Sequence, residues 1–558
     1  MARTVAVGVQ DFEKIVSNGY FYIDKTNFIK EWWESADEVT LITRPRRFGK
    51  TLNMNMLERF WSIKYKGRGK IFENLFIWGE EKFQKLQGTY PVISLSFAGV
   101  KEDNYPGAKS QINQIITNLY SEYEFLRDCG KLGEKDKAFF DRIGHGMENS
   151  DAAMALNRLS EYLFRYYGKK VIILLDEYDT PMQEAYVNGF WKELISFIRN
   201  LFNNTFKTNP FLERAVMTGI TRVSRESMYS DLNNLKVVTM ISNEYASCFG
   251  FTEEEVFAAM DEFGMENRED VRKWYDGFAV GGLQDIYNPW SIINFLDQRK
   301  LGAYWANTSS NGLAGSLLRK GDKEIKMQFE QLLLGRTIES RIDEEIVYSQ
   351  LEQNESAVWS LLLAAGYLKV TGAMGRNYEL SLTNYEVRQM FENMVLDWFC
   401  EDAPNYNGFV HSLLQGDLKA MNAYMNRMSK SMFSSFDGGN KPSGETNPER
   451  FYHGFVLGLL VDLAGRYAVA SNRESGFGRY DVLLEPLKKE DDGIILEFKV
   501  RDPDDEGDLK ETVAQALKQI EDKQYEQVLL DHGVSKDRIR KYGFAFEGKK
   551  VLIGGDSV

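Results

Sequence analysis

Nine residues near the start of the chain have the types and the order that suit phosphate binding. Thr43 to Thr51 reads T-R-P-R-R-F-G-K-T, after an apolar run from Val39 to Ile42 and before a helical pattern from Leu52 to Phe60. A strand, a tight loop and a helix in this order direct backbone N–H groups and a helix N-terminus at a phosphate. We call Thr43 to Thr51 the phosphate loop, and we expect Lys50 to reach the terminal phosphates and Thr51 to offer its hydroxyl to magnesium.

The phosphate loop departs from the pattern G-x-x-x-x-G-K-T at one position. Arg44 stands where the pattern has its first glycine, Gly49 supplies the second, and Arg46 and Arg47 add positive charge beside it. The arginine predicts a loop that closes less freely. Taken alone, the motif fits a phosphate loop and an ordinary strand-to-helix turn about equally well.

A second motif favours the phosphate loop. It reads V-I-I-L-L-D-E from Val171 to Glu177. Five consecutive apolar residues predict a strand buried on both faces, as in a parallel sheet covered by helices. Acids at the C-terminal end of such a strand lie where ligands bind in open α/β sheets. We expect Asp176 to hold magnesium through water and Glu177 to polarise the attacking water, in preference to a pair of solvated acids.

The C-terminal part of the chain holds another set of residues that could do chemistry. Asp481 lies in a strand pattern from Tyr480 to Glu485, and Glu497 and Lys499 lie in a second one from Ile494 to Val500. A hairpin of this length places Asp481 close to both, and the two-residue period of a strand puts Glu497 and Lys499 on one face. Two acids that hold magnesium and a lysine that orients or stabilises the nucleophile suit phosphodiester hydrolysis.

A bare D…E-x-K is weak evidence, since E-x-K is frequent on exposed strands, but its surroundings here favour catalysis. The second strand is otherwise apolar, and G-F-G-R-Y-D gives a tight approach to Asp481. A helix is predicted from near Asp508 with Glu511 in its first turn, and Gln515 and Gln519 share one face of it. These features strengthen the case for a nuclease site, and an exposed strand that carries E-x-K by chance stays the alternative.

The composition restricts the class of protein. A chain of 558 residues is too long for one core and predicts about two to four domains. Its 43% hydrophobic and 27% charged residues are typical of a soluble globular protein. A formal charge of -14 argues against a broad, non-specific grip on nucleic acid, so nucleic acid has to be bound at a confined patch.

Neither a disulfide framework nor a membrane segment is predicted. The 3 cysteines are far apart without a C-x-x-C pair, and the 4 histidines form no ligand pair at helical spacing. No basic segment followed by an apolar core opens the chain, and the most apolar long segment, Phe455 to Ala470, is too short to cross a bilayer. We expect a cytoplasmic protein with no membrane partner.

Local signals predict four regions: an α/β region at 1–250, a helical region with a winged-helix-like part at 251–433, a linker at 434–448 rich in Gly, Ser and Pro, and an α/β region at 449–558. The helical region is expected to begin with a capping box at Thr252. A helix from Glu355 to Ala365 and a hairpin from Gly366 to Leu382 suit a winged-helix-like module, which binds DNA or packs. Packing is favoured, because no basic stripe accompanies the module.

The segment ahead of the phosphate loop is expected to be a packing element. A short helix from Asp11, a turn at Asn18-Gly19, a strand-like segment from Tyr20 to Ile23 and a new helix beginning at Asp24 to Thr26 fit the local signals. A base-contacting role for Asp24 to Thr26 is the alternative.

Four motifs together resemble the AAA-ATPase-like family of bacterial proteins over roughly residues 1–250. They are G-V-Q-D-F near residue 8, Y-I-D-K-T at 22–26, R-P-R-R-F-G-K-T at 44–51 and L-L-D-E-Y-D at 174–179. Members often carry a C-terminal PD-(D/E)xK nuclease-like domain, and the arginine-proline opening of the phosphate loop is usual among them. The phrases W-Y-D-G-F at 274–278 and Y-N-P-W-S at 287–291 also recur in the family, where they resemble a lid behind the ATPase core.

This resemblance adds two candidate residues after a core strand predicted from Glu213 to Ile220. A polar residue at the tip of that strand is where related ATPases keep a sensor of the γ-phosphate, which makes Thr218 the candidate here. Arg222 is a candidate for a sensing arginine or for one that reaches a neighbouring subunit of a homo-oligomer. A surface salt bridge is the equally weighted alternative for Arg222.

A second resemblance covers roughly residues 445–550. The order helix, strand, G-x-G-R-x-D, E-F-K and a helix ending Q-I-E-D-K-Q-Y resembles the PD-(D/E)xK nuclease superfamily. It implies that Asp481, Glu497 and Lys499 take the metal and catalytic roles with Gln519 in support, and that Glu449 and Glu474 are candidates for an additional acid.

The whole sequence therefore predicts an α/β protein with a P-loop NTPase parallel sheet flanked by helices, a mainly helical middle and a C-terminal α/β nuclease-like domain. The expected function is ATP hydrolysis coupled to magnesium-dependent cleavage of nucleic acid, with DNA favoured. The alternative is a nucleotide-driven switch or scaffold whose nuclease-like domain binds a partner without cutting.

Overall fold

The computed structural model describes residues 2–222, 232–306, 312–321, 323–333, 335–343, 351, 354–374, 377–401, 406–432, 456, 460, 463, 466–471, 474–475, 478–479, 481–488, 490–502, 506–547 and 550–555. The chain divides into two compact units, Met1–Phe391 and Glu392–Val558. The second unit begins ahead of the predicted linker, and residues 434–448 lie outside the described part. The predicted domain boundaries therefore stay predictions.

Helices and strands alternate in the N-terminal part of the first unit. They are α1 (Phe12–Ser17), α2 (Asn27–Ser35), β1 (Val39–Thr43), α3 (Lys50–Trp61), α4 (Glu81–Leu86), β2 (Val92–Ser96), α5 (Tyr105–Glu122), α6 (Phe125–Asp128), α7 (Glu134–Arg142), α8 (Asn149–Tyr167), β3 (Val171–Asp176), α9 (Thr180–Asn188), α10 (Trp191–Phe202), β4 (Leu212–Gly219) and β5 (Leu235–Val238).

The five strands form one sheet in the order β2-β3-β4-β1-β5, and every neighbouring pair is parallel. Every residue of β1 and β3 is buried, as expected for strands covered by helices on both faces. The register pairs Ile42 with Thr218 and Leu175 with Met217. Strand β4 thus lies between the strand that leads into the phosphate loop and the strand that ends in Asp176, so all three C-terminal ends meet at one edge.

One local prediction in the N-terminal segment is wrong. Residues 20–23 belong to no strand, and the backbone N–H of Phe21 donates to the carbonyl of Thr4 over 2.9 Å. Their strand-like alternation has another cause, because successive rings pack on different partners. Phe21 lies edge-on to Phe263, while Tyr22 lies edge-on to Phe12.

The motif Asp24 to Thr26 is hydrogen-bonded within the protein. Asp24 accepts from the Thr26 hydroxyl over 2.7 Å and from the backbone N–H of Phe76 over 2.6 Å. Lys25, which is buried, donates to both carboxylate oxygens of Glu255 over 2.7 Å. These contacts are those of a packing element, and they join the segment to the helix that opens the next part of the chain.

The rest of the first unit, residues 251–391, is mainly helical, and we call it the middle region. Its elements are β6 (Phe251–Thr252), α11 (Glu253–Phe263), α12 (Arg268–Tyr275), β7 (Phe278–Val280), β8 (Leu283–Tyr287), α13 (Pro289–Gln298), α14 (Gly312–Lys320), α15 (Lys323–Leu333), β9 (Ile338–Arg341), α16 (Glu355–Ala364), β10 (Leu368–Met374), β11 (Asn377–Leu382) and α17 (Tyr385–Glu401), whose last turns pass into the second unit.

The predicted capping box and hairpin are both present in the middle region. The Thr252 hydroxyl accepts from the backbone N–H of Glu255, and the Glu255 carboxylate accepts from the backbone N–H of Thr252. Strands β10 and β11 pair antiparallel after helix α16, as the sequence predicts. Strand β9, which the sequence did not reveal, pairs with β11 and completes a three-stranded sheet.

A buried carboxyl ties together three segments of the middle region. Glu386, on α17, is fully buried and accepts from the Ser291 hydroxyl over 2.8 Å, from the backbone N–H of Trp305 over 2.6 Å and from that of Ala306 over 3.2 Å. Burial raises the pKa of Glu386 to about 7, because removal from water costs the charged form more than these donors return.

Glu386→Gln is expected to make the stability of the first unit less dependent on pH. A carboxyl whose pKa is higher in the folded than in the unfolded chain adds to the free energy of unfolding. This contribution is complete below the unfolded pKa and is lost as the pH rises through about 7. Thermal unfolding followed from pH 5 to pH 8 should show the wild type losing Tm relative to the variant. The exposed Glu339→Gln is the matched control, and equal pH slopes for wild type and Glu386→Gln would contradict the prediction.

The second unit contains a five-stranded mixed sheet. Its elements are α18 (Tyr406–Gln415), α19 (Leu418–Met432), β12 (Tyr467–Ser471), β13 (Glu474–Ser475), β14 (Gly478–Arg479), β15 (Val482–Pro486), β16 (Gly493–Val500), α20 (Leu509–Asp522), α21 (Gln527–Asp531), β17 (Ile539–Glu547) and β18 (Lys550–Gly555). The order is β12-β15-β16-β17-β18, with β16 and β17 parallel and the other pairs antiparallel.

The three predicted strands at 467–471, 480–485 and 494–500 are present with small shifts of their ends, as is the helix capped by Asp508. Strands β17 and β18 were not predicted. Most of the helix predicted from Glu449 to Leu463 lies outside the described residues. Within the part of the chain that the structure describes, no helix has the length and apolar content needed to span a bilayer.

Candidate nucleotide and nuclease sites

The phosphate loop turns on two residues with left-handed backbone. Arg47 has a φ of 64° and Gly49 a φ of 85°. A glycine adopts this conformation without cost, whereas an arginine does so only when its surroundings hold it. Gly49 is the N-cap of α3, so Lys50 and Thr51 stand in the first turn of that helix, where backbone N–H groups lack helical partners.

The ammonium of Lys50 lies within the phosphate loop. It donates to the carbonyl oxygens of Arg44 and Pro45, each over 3.0 Å, and lies 3.5 Å from the Glu177 carboxylate. Its side chain is only 2% exposed. A cation this deeply buried needs such partners, and the arrangement places positive charge inside the curve of the loop.

Asp176 is the point at which the three strand ends meet. Its carboxylate accepts from the Thr51 hydroxyl over 2.7 Å and also from the Thr218 hydroxyl. Burial raises the pKa of Asp176, and the nearby Glu177 raises it further. The structure thus brings together five of the predicted residues, Lys50, Thr51, Asp176, Glu177 and Thr218, because β4 stands between β1 and β3.

Glu177 and Asp179 shape the turn that follows β3. Glu177 has a φ of 53°, and its backbone N–H donates to the Thr218 hydroxyl over 3.4 Å. Asp179 is fully buried and accepts from the backbone N–H of Thr221 over 2.8 Å and from its hydroxyl over 2.9 Å. Burial raises the pKa of Asp179. Sequence reasoning assigned Asp179 no role, although it belongs to the quoted string L-L-D-E-Y-D.

Arg222 lies just after this anchored turn. It lines a cavity of about 30 Å³ together with Thr43, Thr239 and Asp343, where the end of β1 faces the middle region. Its sensing role stays a prediction.

Arg44 points away from the interior of the phosphate loop. Its fully buried guanidinium donates to the carbonyls of Thr43, Thr239 and Glu244 over 2.9, 2.8 and 3.2 Å, and it lies over the Phe249 ring. Burial lowers the pKa of Arg44 to about 10. Where the common pattern uses a glycine, this chain therefore has an arginine that anchors the loop to the segment after β5.

The middle region contacts the phosphate loop at several points. The ring of Phe48 lies edge-on to Phe278, with centroids 4.9 Å apart. A Cβ built on Gly366 would come within 2.7 Å of Pro45, so that position accepts no side chain without movement. The guanidinium of Arg47 lies over the Trp290 ring. Arg46 instead donates to the side chain of Gln183 on α9 over 3.3 Å.

The candidate nuclease site is built at the centre of the C-terminal sheet. Asp481 stands just before β15 and accepts from the backbone N–H of Phe498 over 2.9 Å, which holds its carboxylate against the E-F-K segment. Glu497 is 2% exposed and accepts from the side-chain amide of Gln519 on α20. Lys499 follows on the same strand and is half-buried. Asp481, Glu497 and Gln519 are thus gathered at one place, and Lys499 stands two residues after Glu497 on the same strand.

Tyr525 was missed by sequence reasoning. Its hydroxyl accepts from the Gln519 amide over 3.4 Å, and the residue is 1% exposed. Burial raises its pKa, and the negative charges of Glu497 and Asp481 add to the effect. The string Q-I-E-D-K-Q-Y contained it, but only its glutamine was singled out.

The donor set that the structure describes here consists of two carboxylates and no larger cluster. Among the described residues, no group of three or more His, Cys, Asp and Glu side chains could hold a metal ion. Glu449 and the side chain of Glu474 lie outside the described part of the chain. Carboxylate oxygens are the ligands that magnesium prefers, so Asp481 and Glu497 fit that ion in type. The Thr51 hydroxyl beside Asp176 fits it in the same way.

A parallel five-stranded sheet, a G-K-T loop after β1 and an acid at the end of β3 define the P-loop NTPase class of fold. Residues 6–229 match the family model described as "Predicted AAA-ATPase", of the AAA-ATPase-like family, and residues 447–555 match that of the PD-(D/E)XK nuclease superfamily. The chain therefore combines an AAA-ATPase-like segment with a PD-(D/E)XK nuclease-superfamily segment, as its motifs predict.

Two further proteins are similar to this chain. A protein of Azotobacter chroococcum mcd 1, named "Uncharacterized protein in vnfD 5'region", is 25% identical over 402 residues, which are 71% of this chain and 70% of that protein. The crystal structure of a signal transduction ATPase with numerous domains and a tetratricopeptide repeat sensor, from Pyrococcus horikoshii, is 13% identical with a TM-score of 0.22. The match covers 80% of this chain but only 54% of the archaeal one, and that score is too low to indicate a shared fold.

Proposed function

We propose that the chain binds and hydrolyses ATP at the phosphate loop and that the nucleotide state controls a magnesium-dependent nuclease at its C-terminal site. The observation that carries the proposal is the meeting of Lys50, Thr51 and Thr218 around Asp176 and Glu177 at the edge where three parallel strands end. These residue types are the ones that bind a triphosphate with its metal ion, and residues from separate motifs converge on one point.

In this proposal each residue of the ATPase site has a distinct task. Lys50 binds the terminal phosphates, exchanging its loop carbonyls for phosphate oxygens, and Thr51 and Asp176 hold magnesium, which neutralises charge on the phosphates. Glu177 orients the attacking water, and Thr218 reports the state of the γ-phosphate to Asp176. Arg46, Arg47 and Gly49 shape the loop around the phosphates, and Arg222 senses the nucleotide or reaches a neighbouring copy of the chain.

At the C-terminal site, Asp481 and Glu497 would hold magnesium, which lowers the pKa of bound water and stabilises charge on the phosphate. Lys499 would orient the nucleophile or stabilise the transition state, and Gln519 would fix the rotamer of Glu497 through the hydrogen bond already present. The favoured substrate is DNA, bound at a confined patch because the chain as a whole is acidic.

The second candidate is a nucleotide-driven switch or scaffold that binds a partner without cutting. The net charge of -14 favours it, since such a charge opposes broad contact with nucleic acid. The presence of Asp481, Glu497 and Lys499 at one place favours cleavage.

Purified wild-type protein should be mixed with duplex DNA, single-stranded DNA and RNA in magnesium, with and without ATP, while phosphate release is measured in parallel. We expect cleavage that stops on chelation of magnesium and changes in rate with ATP. Phosphate release without cleavage of any substrate would leave the switch or scaffold as the function. The absence of both phosphate release and cleavage would refute the proposal as a whole.

A further inference from the structure

Two residues at the start of helix α13 reach the phosphate loop from the middle region. The side-chain amide of Asn288 donates to the backbone carbonyl of Arg46 over 3.2 Å. The ring of Trp290 lies under the guanidinium of Arg47, with the guanidinium carbon 4.4 Å from the ring centroid. Asn288 is fully buried and also caps α13, because its side-chain oxygen Oδ1 accepts from the backbone N–H of Trp290 over 2.9 Å. The two contacts are therefore rigidly linked to each other.

These contacts hold the one residue of the loop whose backbone is unfavourable for its type. Arg47 has a φ of 64°, which arginine rarely adopts. Asn288 fixes the carbonyl of the preceding residue, and Trp290 fixes the side chain of Arg47 itself. Both ends of the strained residue are thus held by α13, and the left-handed turn leads directly to Phe48, Gly49 and the start of α3.

Arg47 is exposed, so the loop alone does not determine the position of its guanidinium. Without the ring beneath it, a long exposed side chain samples many rotamers, and ordering it on binding a phosphate costs conformational entropy. A ring that holds it in place before binding reduces that cost. A weak contact at the surface can therefore change affinity for an anion more than it changes the stability of the fold.

We propose that Asn288 and Trp290 are positioning residues of the nucleotide site, which set the conformation of Arg46 and Arg47 so that the loop is ready to receive a triphosphate. The inference rests on the proposed ATP binding at this loop. It adds that the middle region is part of the nucleotide site and that its α13 changes ATP affinity without touching the ATP itself.

The test compares Trp290→Leu with Trp290→Phe in the full-length protein, using the Kd of a fluorescent ATP analogue in magnesium. Leucine removes the aromatic face and should weaken binding about twofold to fivefold, the range expected for an exposed cation–π contact. Phenylalanine keeps a face under the guanidinium and should restore most of the affinity. The Tm of the two variants should agree, since both replace a half-buried ring by an apolar side chain.

A double-mutant cycle with Arg47→Ala separates positioning from a general effect on packing. If Trp290 acts through Arg47, Trp290→Leu should have no further effect on Kd once Arg47 is alanine. Asn288→Ser gives a second line of evidence, because serine can still cap α13 but is too short to reach the carbonyl of Arg46. We expect it to weaken nucleotide binding as well.

Two outcomes would overturn the inference: equal affinity of the wild type and Trp290→Leu, or the same loss in the presence and absence of the Arg47 side chain. Failure of the wild type itself to bind the analogue would instead refute the proposed ATP site. The two failures are distinguishable, because the first requires a wild type that binds.

Discussion

Lys50→Met is expected to lower the rate of ATP hydrolysis by about a hundredfold or more, the usual loss when one charge-stabilising donor is removed from a site. Methionine keeps the length of the side chain, so the fold of the loop should survive. The ammonium lies between two loop carbonyls and Glu177 and is almost fully buried, so its loss removes the positive charge from the inside of the loop. Phosphate release under saturating ATP measures the effect.

The matched control for this prediction is Lys137→Met. Lys137 is on α7 and pairs with Glu134 three residues away on the surface, a contact expected to contribute little. It should hydrolyse ATP at the wild-type rate. Hydrolysis by Lys50→Met at more than about a tenth of the wild-type rate would place the catalytic site elsewhere, because a site built on this lysine loses far more.

Lys499→Ala and Glu497→Gln are each expected to abolish cleavage of nucleic acid, with losses of about a hundredfold or more. The glutamine variant removes one negative charge from a metal-binding pair while keeping the shape of the side chain. Glu497 is 2% exposed and hydrogen-bonded to Gln519, so the position of its carboxylate is fixed before any metal binds. The measurement is the rate of cleavage of the best substrate of the wild type in magnesium.

ATP hydrolysis by the same two variants supplies the internal reference, since the residues of the phosphate loop are unaltered. Lys518 is an exposed lysine on α20, and the Lys518→Ala variant should cleave at the wild-type rate. This control tests whether the loss of one nearby positive charge is by itself enough to stop cleavage. If Lys499→Ala and Glu497→Gln cleave normally while Lys518→Ala also does, the D…E-x-K site is not where cleavage occurs.

The sequence predicted strands β1, β3 and β4 of the first sheet but not the order of its strands. Strands such as Val171–Asp176 can be recognised in the sequence by unbroken apolar runs, because both of their faces are covered. The sequence of a single strand does not determine which strands pair with it, so the position of β4 between β1 and β3 is known only from the structure. Strands β5 to β9, β13, β14, β17 and β18 were not predicted.

The residues of the candidate sites also fall into those that the sequence predicted and those that it did not. Lys50, Thr51 and Asp176 were predicted because spacing along one loop and one strand determines where they stand. The direction of the Arg44 side chain could not be predicted, since its partners Thr239 and Glu244 are about two hundred residues away in the chain. Asp179 and Tyr525 act through contacts that only tertiary packing creates, although both stood inside strings already singled out.

The packing of Phe48 on Phe278 limits which recombinant fragments can keep the phosphate loop folded. Phe48 is fully buried in the intact chain, and leaving a side chain of this size in water costs about 2 kcal/mol. A recombinant fragment ending near residue 250 would expose that ring and leave Pro45 without Gly366. A fragment that is to retain the phosphate loop in its folded form therefore has to extend to Phe391, where the first compact unit ends.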